Sequence, residues 1–530
     1  MTRLADSVIL LWGWRRWLLA LIAGAITALA LAPFDLVPIA FLTIPIFVWL
    51  IDGSVPPEGS GILRRVRPAA AVGWWFGFGY FVSGLWWLGP SFLVDGDEFA
   101  FLLPFGVVGL PAVLAILWAL GAVVARLLWC DGWSRVLVFA IVMTIVEWLR
   151  GHIFTGFPWN AFGYALMPTP AFMQAASLVG VWGITLLAFL VFAAPVLLAR
   201  SHDGSRGRLV AFAAIAILLL ADIAFGLARL RSADGAVVPD VRLRLVQASI
   251  PQAVKNDPSQ RGTMLQRQID LSRSPGIGAI THVIWPETAV PYILTEEPEA
   301  LAALGGMLDP GAVLIAGAPR AADPQEGRRG PVTNSVLVID DNGVILDAYD
   351  KVHLVPFGEY LPMRDLLESI GIREIIPLPG GFAAGAERRS LVAGNAPPFV
   401  PLICYEIIFP AEIMPPGERP AFILNVTNDA WYGDTPGPRQ HFRQSIVRAV
   451  EEGLPLVRSA NNGISAIVDA YGQVSASLGL NEVGVVDGEL PASLPATVYS
   501  RLGDAVPGVL VAVLALIAAV GRIATASREN

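Results

Sequence analysis

Cysteine is close to missing from this chain: there are two, Cys130 and Cys404, among 530 residues. One lies in an apolar run and the other in the polar part, so neither a disulfide framework nor a cysteine-based zinc site is available. The five histidines do not cluster either. Charge is scarce as well, at 15% of residues against 55% hydrophobic, with a mean hydropathy of +0.61. That is far too apolar for a soluble protein of this length. A formal net charge of -8 leaves nothing to neutralise phosphates in bulk, which argues against a nucleic-acid partner.

What the chain has instead is long apolar runs. A hydrocarbon core about 30 Å thick is crossed by roughly 20 apolar residues as helix. About eight segments meet that demand, near 14–32, 36–52, 69–90, 101–125, 134–150, 176–199, 208–228 and 505–522. Only a Pro-marked turn, "APFDLVP", separates the first two. The run "RRWLLALIAGAITALALA" resembles a signal peptide with an A-x-A site, but more spans come after it, and it reads as an uncleaved first helix.

Loop charges set the orientation, because short cytoplasmic loops accumulate Lys and Arg. Arg3, Arg15 and Arg16 precede the first span; Arg64, Arg65 and Arg67 follow the second; Arg126 and Arg135 flank the link from fourth to fifth; Arg200, Arg206 and Arg208 join sixth to seventh. The alternate loops hold Asp95, Asp97 and Glu98, or the aromatic, glycine-rich "TGFPWNAFGYALMPTP". Arg229 and Arg231 run against the pattern, which is a statistical rule. The expected layout is therefore a transmembrane bundle over 1–231, an extracytoplasmic domain over 232–500, and a last helix and cytoplasmic tail over 501–530, with both termini inside. An unpaired cysteine in that outer domain sits in an oxidising compartment. Keeping one there points to deep burial or to chemistry.

The texture changes from about residue 241 to short β-rich runs. "VRLRLVQASI", "THVIWPE", "AVLIAGAP", "NSVLVID", "GVILDAYD", "PFVPLICYE", "AFILNVTND", "PLVRSANNG", "ISAIVDA" and "GQVSASLG" each read as a strand or strand end. Asn342-Gly343 and Tyr471-Gly472 supply turn chemistry for two hairpins. "PSQRGTMLQRQIDLSRS" and "PRQHFRQSIVRAVEEG" carry helical periodicity. Strands mixed with helices predict one α/β domain, a layered sheet with helices outside.

Within it, Cys404 ends an apolar strand-like run and is followed at once by a tight polar segment. A nucleophile at such a junction projects beyond the sheet edge, and the next backbone N–H can face an oxyanion. The thiolate is the reactive form, so a proton acceptor or a cation must be near. Glu287 closes another apolar strand behind Trp285 and Pro286, surroundings that raise a carboxyl pKa and suit a general base. Lys351 emerges from the hairpin strand as a cation fit to stabilise an oxyanion, and Glu359 lies further along the same segment. Acidic and basic side chains at strand ends are more often solvated surface groups, so any one of these alone is weak evidence. The order Glu, Lys, Cys, each at the end of a strand or hairpin in one domain, is what points to chemistry.

"WPE", "DKVHLVPFGEYLP" and "ICYE" resemble the Glu-Lys-Cys triad segments of the nitrilase superfamily. With "NVTNDAWYG" and "RSANNGISAIVDAYG", in a chain of this span pattern, nearly the full length resembles the apolipoprotein N-acyltransferase family, including "GFPWNAFGY" and "VQASIPQ". No fused glycosyltransferase domain of the kind some relatives carry is evident.

The resemblance implies an αββα sandwich and a ping-pong reaction without cofactor or metal. Glu287 would take the Cys404 proton, and the thiolate would attack the sn-1 ester of a phospholipid, typically phosphatidylethanolamine. Lys351, with backbone donors near Tyr405, would hold the oxyanion; the products are a Cys404 thioester and a lysophospholipid. The acyl chain would then pass to the α-amino group of the N-terminal S-diacylglyceryl cysteine of an apolipoprotein, the last step of bacterial lipoprotein maturation. Glu359 matches the family's additional glutamate near the lysine. Tyr405 and Glu406 match positions in the active-site wall, and Trp431 and Glu451 also match substrate-side positions. The implied setting is the bacterial inner membrane, multi-pass, with the catalytic domain facing the periplasm and a monomer sufficing.

Three further expectations concern the spans. Glu147 and Arg150 are read as an ion pair holding the outer loop, and Asp222 is an acid that interrupts the apolar run "AILLLADIAFG". Trp74, Trp75, Trp86, Trp87 and Trp148 are read as interfacial and bundle-packing residues. Phe157, Trp159 and Phe162 are read as lining a path for lipid. Two rival functions remain open at this level: a membrane-anchored amidase or nitrilase using water as acceptor, and a transporter or lipid-binding scaffold with a degenerate outer domain.

Overall fold

In a bilayer every backbone N–H and C=O must be satisfied within the segment, so apolar runs fold as helices. The computed structural model describes residues 2–55, 59, 61–94, 99–129, 132–199, 205–290, 292–321, 330–369 and 381–529. Among them four helices are long and apolar enough to cross a membrane: Ala100–Leu127, Ser134–Thr155, Ala176–Leu198 and Arg206–Arg231. Val37–Asp52 and Ala505–Gly521 are apolar but shorter, and Trp14–Thr27 and Ile62–Leu85 are also helical. Cys130, Asp95, Asp97, Glu98 and Arg200 lie outside the described residues. The chain forms two units: one comprises Met1–Gly89, Leu102–Ser232 and Ala496–Asn530, the other Pro90–Phe101 and Ala233–Pro495.

The helical unit is organised around one buried ion pair. Arg150 donates to Glu147 over 2.8 and 3.0 Å, and Trp118 Nε1 adds a third donor at 2.8 Å. The same two side chains then bind the loop beyond their helix: Arg150 Nη1 donates to the Phe157 and Trp159 carbonyls, and the Phe162 N–H donates to Glu147 Oε2 at 3.1 Å. Each charge is thus neutralised and its remaining capacity goes to backbone, the condition under which a buried pair is tolerated. The loop is drawn inward as a result. Trp159 and Phe162 are 1% and 0% exposed and pack on Trp87 and Phe189. They are core, so the expectation that they line a lipid path fails for these two; Phe154, 94% exposed, is the aromatic that the loop presents. Asp222 is buried, with neither carboxylate oxygen bonded among the described residues.

The second unit is a sandwich of two sheets. Strands β1 (Val237–Gln247), β2 (His282–Ile284), β3 (Val313–Ala321), β4 (Val332–Ile339), β5 (Ile345–Asp350), β6 (Phe399–Ile403), β7 (Phe422–Thr427), β8 (Leu456–Ala460), β9 (Ser465–Val468), β10 (Val474–Leu478) and β11 (Gly484–Pro491) run in chain order. One sheet is ordered β11-β1-β2-β3-β4-β5 and the other β10-β9-β8-β7-β6. β1, β2 and β3 run parallel, as do β6, β7 and β8, and the remaining neighbours are antiparallel. Both hairpins expected from turn chemistry form. In the first, Asp340 Oδ1 accepts from the Asn342 and Val344 N–H groups, and Gly343 takes φ +77°.

Alternate residues of both sheets meet in the middle: Leu243, Leu245, Ile315, Val336 and Val338 pack with Phe399, Leu424, Val457 and Ile467. The outer face of the first sheet, with Trp285 and Leu314, is covered by the helices Arg261–Ser272 and Pro298–Gly305 through Ile269 and Leu304. On the other sheet lies helix Pro436–Glu452. Its start is fixed by Thr435, whose side chain accepts from the Gly437 N–H, and its end by Gly453 at φ +67°. The strand missing from the sequence reading is β11. "GVVDGELP" alternates weakly and is bounded by Gly and Pro; only its antiparallel pairing with β1, over two hundred residues away, makes it a strand.

Candidate active site

Parallel strands present their C-terminal ends on one edge, and this is where the candidate side chains collect. Glu287 comes just after β2. Its backbone lies against β3: Ala289 N–H donates to Gly317 O at 2.9 Å, and a Cβ on Gly317 would collide with the Pro286 carbonyl and the Glu287 Cα. Glycine is required there because the two backbones touch. The Glu287 carboxylate is held at both oxygens, Oε1 by Asn334 Nδ2 at 2.7 Å and Oε2 by the Asn428 N–H at 2.9 Å.

Lys351 is the first residue after β5, and its N–H donates to Asn334 O at 2.8 Å. Its Nζ is 2.8 Å from Glu359 and 3.7 Å from Glu287, with the side chain 1% exposed. Glu359 Oε2 accepts the Val355 N–H at 2.8 Å. Asn334, on β4, donates to Glu359 as well as to Glu287, over 3.0 and 2.7 Å. One amide therefore spaces two carboxylates around one ammonium. A second lysine, Lys255, is buried beneath, its Nζ donating to Glu287 O and Thr288 Oγ1 at 3.1 Å each.

Cys404 sits just past β6 at φ +51°, in the left-handed region. For a residue with a Cβ that conformation costs of order 1–3 kcal/mol and persists only where the surroundings dictate it. Three features do so. Glu406, two residues on and fully buried, accepts from Ile403 N–H at 2.8 Å with Oε2; with Oε1 it accepts from Tyr349 Oη at 2.9 Å and from the N–H groups of Val352 and His353 at 3.0 and 3.1 Å. It bolts the cysteine turn to the lysine loop. Tyr405 packs edge-on to Phe409. Behind the turn, His441 Nε2 lies 3.1 Å from the Cys404 carbonyl and His441 Nδ1 3.0 Å from Asp429, which Arg458 holds at 2.8 Å.

Of the residues expected at the site, Glu287, Lys351 and Glu359 are brought into contact, and Glu406 joins their loop to Cys404. Trp431 is half-buried, its carbonyl accepting from Ser91 Oγ at 3.1 Å. Glu451 is buried and pairs with Arg448 at 2.5 Å. Asn334, Asn428, Lys255, Asp429, His441 and Arg458 were not expected from the sequence. The one signal available for them was polarity inside otherwise apolar strands and helix faces, as with Asn334 at the head of "NSVLVID". Among the described residues, no group of three or more His, Cys, Asp or Glu is placed to hold a metal ion.

Burial dominates the electrostatics. It pushes the Glu287 carboxyl pKa up; Lys351 opposes this and Glu359 reinforces it. Lys351 shows the reverse outcome: burial alone would lower its pKa, but Glu359 and then Glu287 outweigh it and keep the ammonium charged. Lys255, with a single carboxylate in reach, is lowered by burial to about 8. The Cys404 thiol is pushed above the usual thiol range by burial and then by the Glu287 charge, against Lys351 and a hydrogen bond with Thr427. The resting sulfur is therefore protonated near neutral pH, and a base must take its proton.

A thiol pKa raised in the fold means less thiolate at any pH below it. Alkylation of Cys404 by iodoacetamide is accordingly expected to be slow at pH 7 and still climbing at pH 10. A pH–rate curve flat above pH 8 would show that the site stabilises the thiolate instead.

A family model described as apolipoprotein N-acyltransferase N-terminal domain matches residues 23–194, and one described as carbon-nitrogen hydrolase matches residues 242–498. The chain is also similar end to end to proteins named apolipoprotein N-acyltransferase. It is 48% identical over 532 residues to the one from Brucella suis biovar 1, covering 99% of each. To that of Rhodopseudomonas palustris it is 46% identical over 524 residues, covering 98% of this chain and 97% of the other. To that of Rhizobium meliloti it is 47% identical over 535 residues, covering 100% of both.

Proposed function

We infer, for a chain that belongs to the apolipoprotein N-acyltransferase family, that it moves an acyl chain from a phospholipid to the N-terminus of a lipoprotein through a thioester on Cys404. The single observation that carries this is the buried cluster in which Glu287 and Glu359 flank Lys351 at 3.7 and 2.8 Å, with Glu406 tying the loop after Lys351 to the Cys404 turn.

In the first half-reaction Glu287 takes the Sγ proton and the thiolate adds to the sn-1 ester carbonyl of a phospholipid such as phosphatidylethanolamine. Lys351 and the Tyr405 N–H stabilise the oxyanion. The ester C–O bond breaks, and Glu287 returns the proton to the leaving lysophospholipid oxygen. In the second, the α-amino group of a diacylglyceryl cysteine attacks the thioester, the C–S bond breaks, and the proton passes through Glu287 to sulfur. A thioester forms from an ester and is prone to aminolysis, so cysteine divides an ester-to-amide exchange into two accessible steps.

Glu359 keeps Lys351 charged and aimed; Glu406 sets the turn; Tyr405 and Trp431 contribute to the wall, and Glu451 to the helix beneath. The bundle over 1–231, crossing seven times, and a last helix near 505–522 would put the domain over 232–500 in the periplasm of the inner membrane. Confining two lipid-anchored substrates and the site to one interface replaces a search in volume with one in a plane. A monomer suffices for this, and no cofactor enters.

The test is intact-mass analysis of purified protein after exposure to phospholipid. A fatty-acyl adduct is expected on Cys404, released by neutral hydroxylamine and missing in Cys404→Ser. No adduct on the parent protein would remove the reading, as would water alone discharging it in the presence of a diacylglyceryl peptide.

A further inference from the structure

Cys404 holds a left-handed backbone at φ +51°, and the peptide that comes after it is gripped from behind. The Cys404 carbonyl can only accept, so the His441 Nε2 at 3.1 Å carries a proton and donates it. The ring is in turn fixed on its other side. Asp429 Oδ1 lies 3.0 Å from Nδ1, Arg458 Nη2 donates to Nδ1 at 3.2 Å and to Asp429 Oδ2 at 2.8 Å, and Thr427 Oγ1 donates to Asp429 Oδ1 at 3.1 Å. Arg458 Nη1 reaches Ser445 Oγ at 3.1 Å, whose hydroxyl donates to the His441 carbonyl at 2.9 Å. His441, Asp429 and Arg458 are each fully buried. An acid, a base and a guanidinium sunk in a core are weak contributors to stability and need another reason to be there.

Peptide geometry supplies it. A trans amide is planar, with its C=O and N–H pointing in opposite directions. A hydrogen bond that pins the Cys404 carbonyl toward His441 therefore turns the N–H of the same unit, that of Tyr405, away from His441. We propose that His441, braced by Asp429 and Arg458, is a positioning residue that aims and polarises the Tyr405 N–H as an oxyanion donor. The inference rests on the acyl-transfer reading. His441 faces the carbonyl and not the sulfur as a proton acceptor, so its role is separate from that of Glu287. Removing a whole oxyanion donor slows acyl transfer by about 10²–10³-fold; misaiming one loses part of that.

The experiment compares two reactions of Cys404 in the full-length protein. Acylation by phosphatidylethanolamine in mixed micelles builds an oxyanion, whereas alkylation by iodoacetamide at pH 9 displaces iodide at a saturated carbon and builds none. His441→Leu and His441→Asn, whose amide is too short to reach the carbonyl, are expected to slow acylation about 10–100-fold with alkylation within about threefold of the parent. His441→Gln, which carries an N–H to the Nε2 position, is expected to recover most of the acylation. Equal acylation-to-alkylation ratios in parent, Asn and Gln variants would overturn the proposal, and so would a parallel fall of both reactions. The Asn and Gln pair decides the matter if the Leu variant does not fold. A parent that alkylates but never acylates would instead fail the acyl-transfer reading, and this inference with it.

Discussion

Glu287→Gln is expected to slow acylation of Cys404 by about 10²–10⁴-fold, the usual range for a positioned general base. The substitution keeps the shape and leaves an oxygen for either Asn334 or the Asn428 N–H, which hold the two carboxylate oxygens at 2.7 and 2.9 Å. What it removes is the capacity to take a proton from a thiol that burial keeps protonated. Because burial raises the Glu287 pKa, the parent rate is expected to rise with pH through a limb above the ordinary carboxylate range, and that limb should vanish in the variant. Single-turnover mass measurements across pH 5 to 9 test both statements. A variant within tenfold of the parent, or one that retains the limb, would assign the proton to another group.

Lys351→Met is expected to do double damage. Acylation should fall by at least about 10²–10³-fold, through loss of the cation proposed to stabilise the oxyanion. The fold should lose about 3–5 kcal/mol, because removing one member of a buried ion cluster leaves the others uncompensated. Glu287 and Glu359 would then share one Asn334 amide with no cation between them. Burial already raises the Glu287 pKa, Lys351 opposes this and the Glu359 charge adds to it, so with the cation gone the native state favours a protonated Glu287, and the stability deficit should be small at pH 5 and grow as pH rises toward 8. Thermal unfolding in detergent at the two pH values measures it. Adding Glu359→Gln should restore much of the stability and none of the acylation. If the single variant unfolds at the parent's midpoint at pH 8, the cluster is not held together as described.

The same cluster shows where a sequence can be read and where it cannot. Glu287, Lys351, Glu359 and Cys404 were legible as candidates because an acid, a cation and a thiol follow one another at strand or hairpin ends of one domain, a combination that single solvated strand-end groups do not produce. Asn334 and Asn428 were not, since an asparagine beside a strand reads as ordinary turn chemistry until a carboxylate from another part of the chain is set against it. Glu406 was expected in the active-site wall, and what the sequence did not contain is its bonding: its carboxylate accepts from Ile403, Tyr349, Val352 and His353, so it shapes the cysteine turn. In the helical unit, Glu147 and Arg150 were expected to pair and do so at 2.8 Å. Their grip on the Phe157, Trp159 and Phe162 backbone, which buries two of those aromatics, is a consequence that no spacing rule contains.

Hydropathy, turn residues and strand-end chemistry are local properties. They suffice to specify apolar helices, two β-hairpins, an α/β domain, and the candidate acid, cation and thiol. The pairing of β11 with β1, the asparagine that spaces two carboxylates, and the Asp429–His441–Arg458 brace behind Cys404 arise only once the domain has packed. Each of those joins residues distant in the chain. Burial sets their strength and direction, and burial is a property of the whole packed domain that no short window of residues encodes.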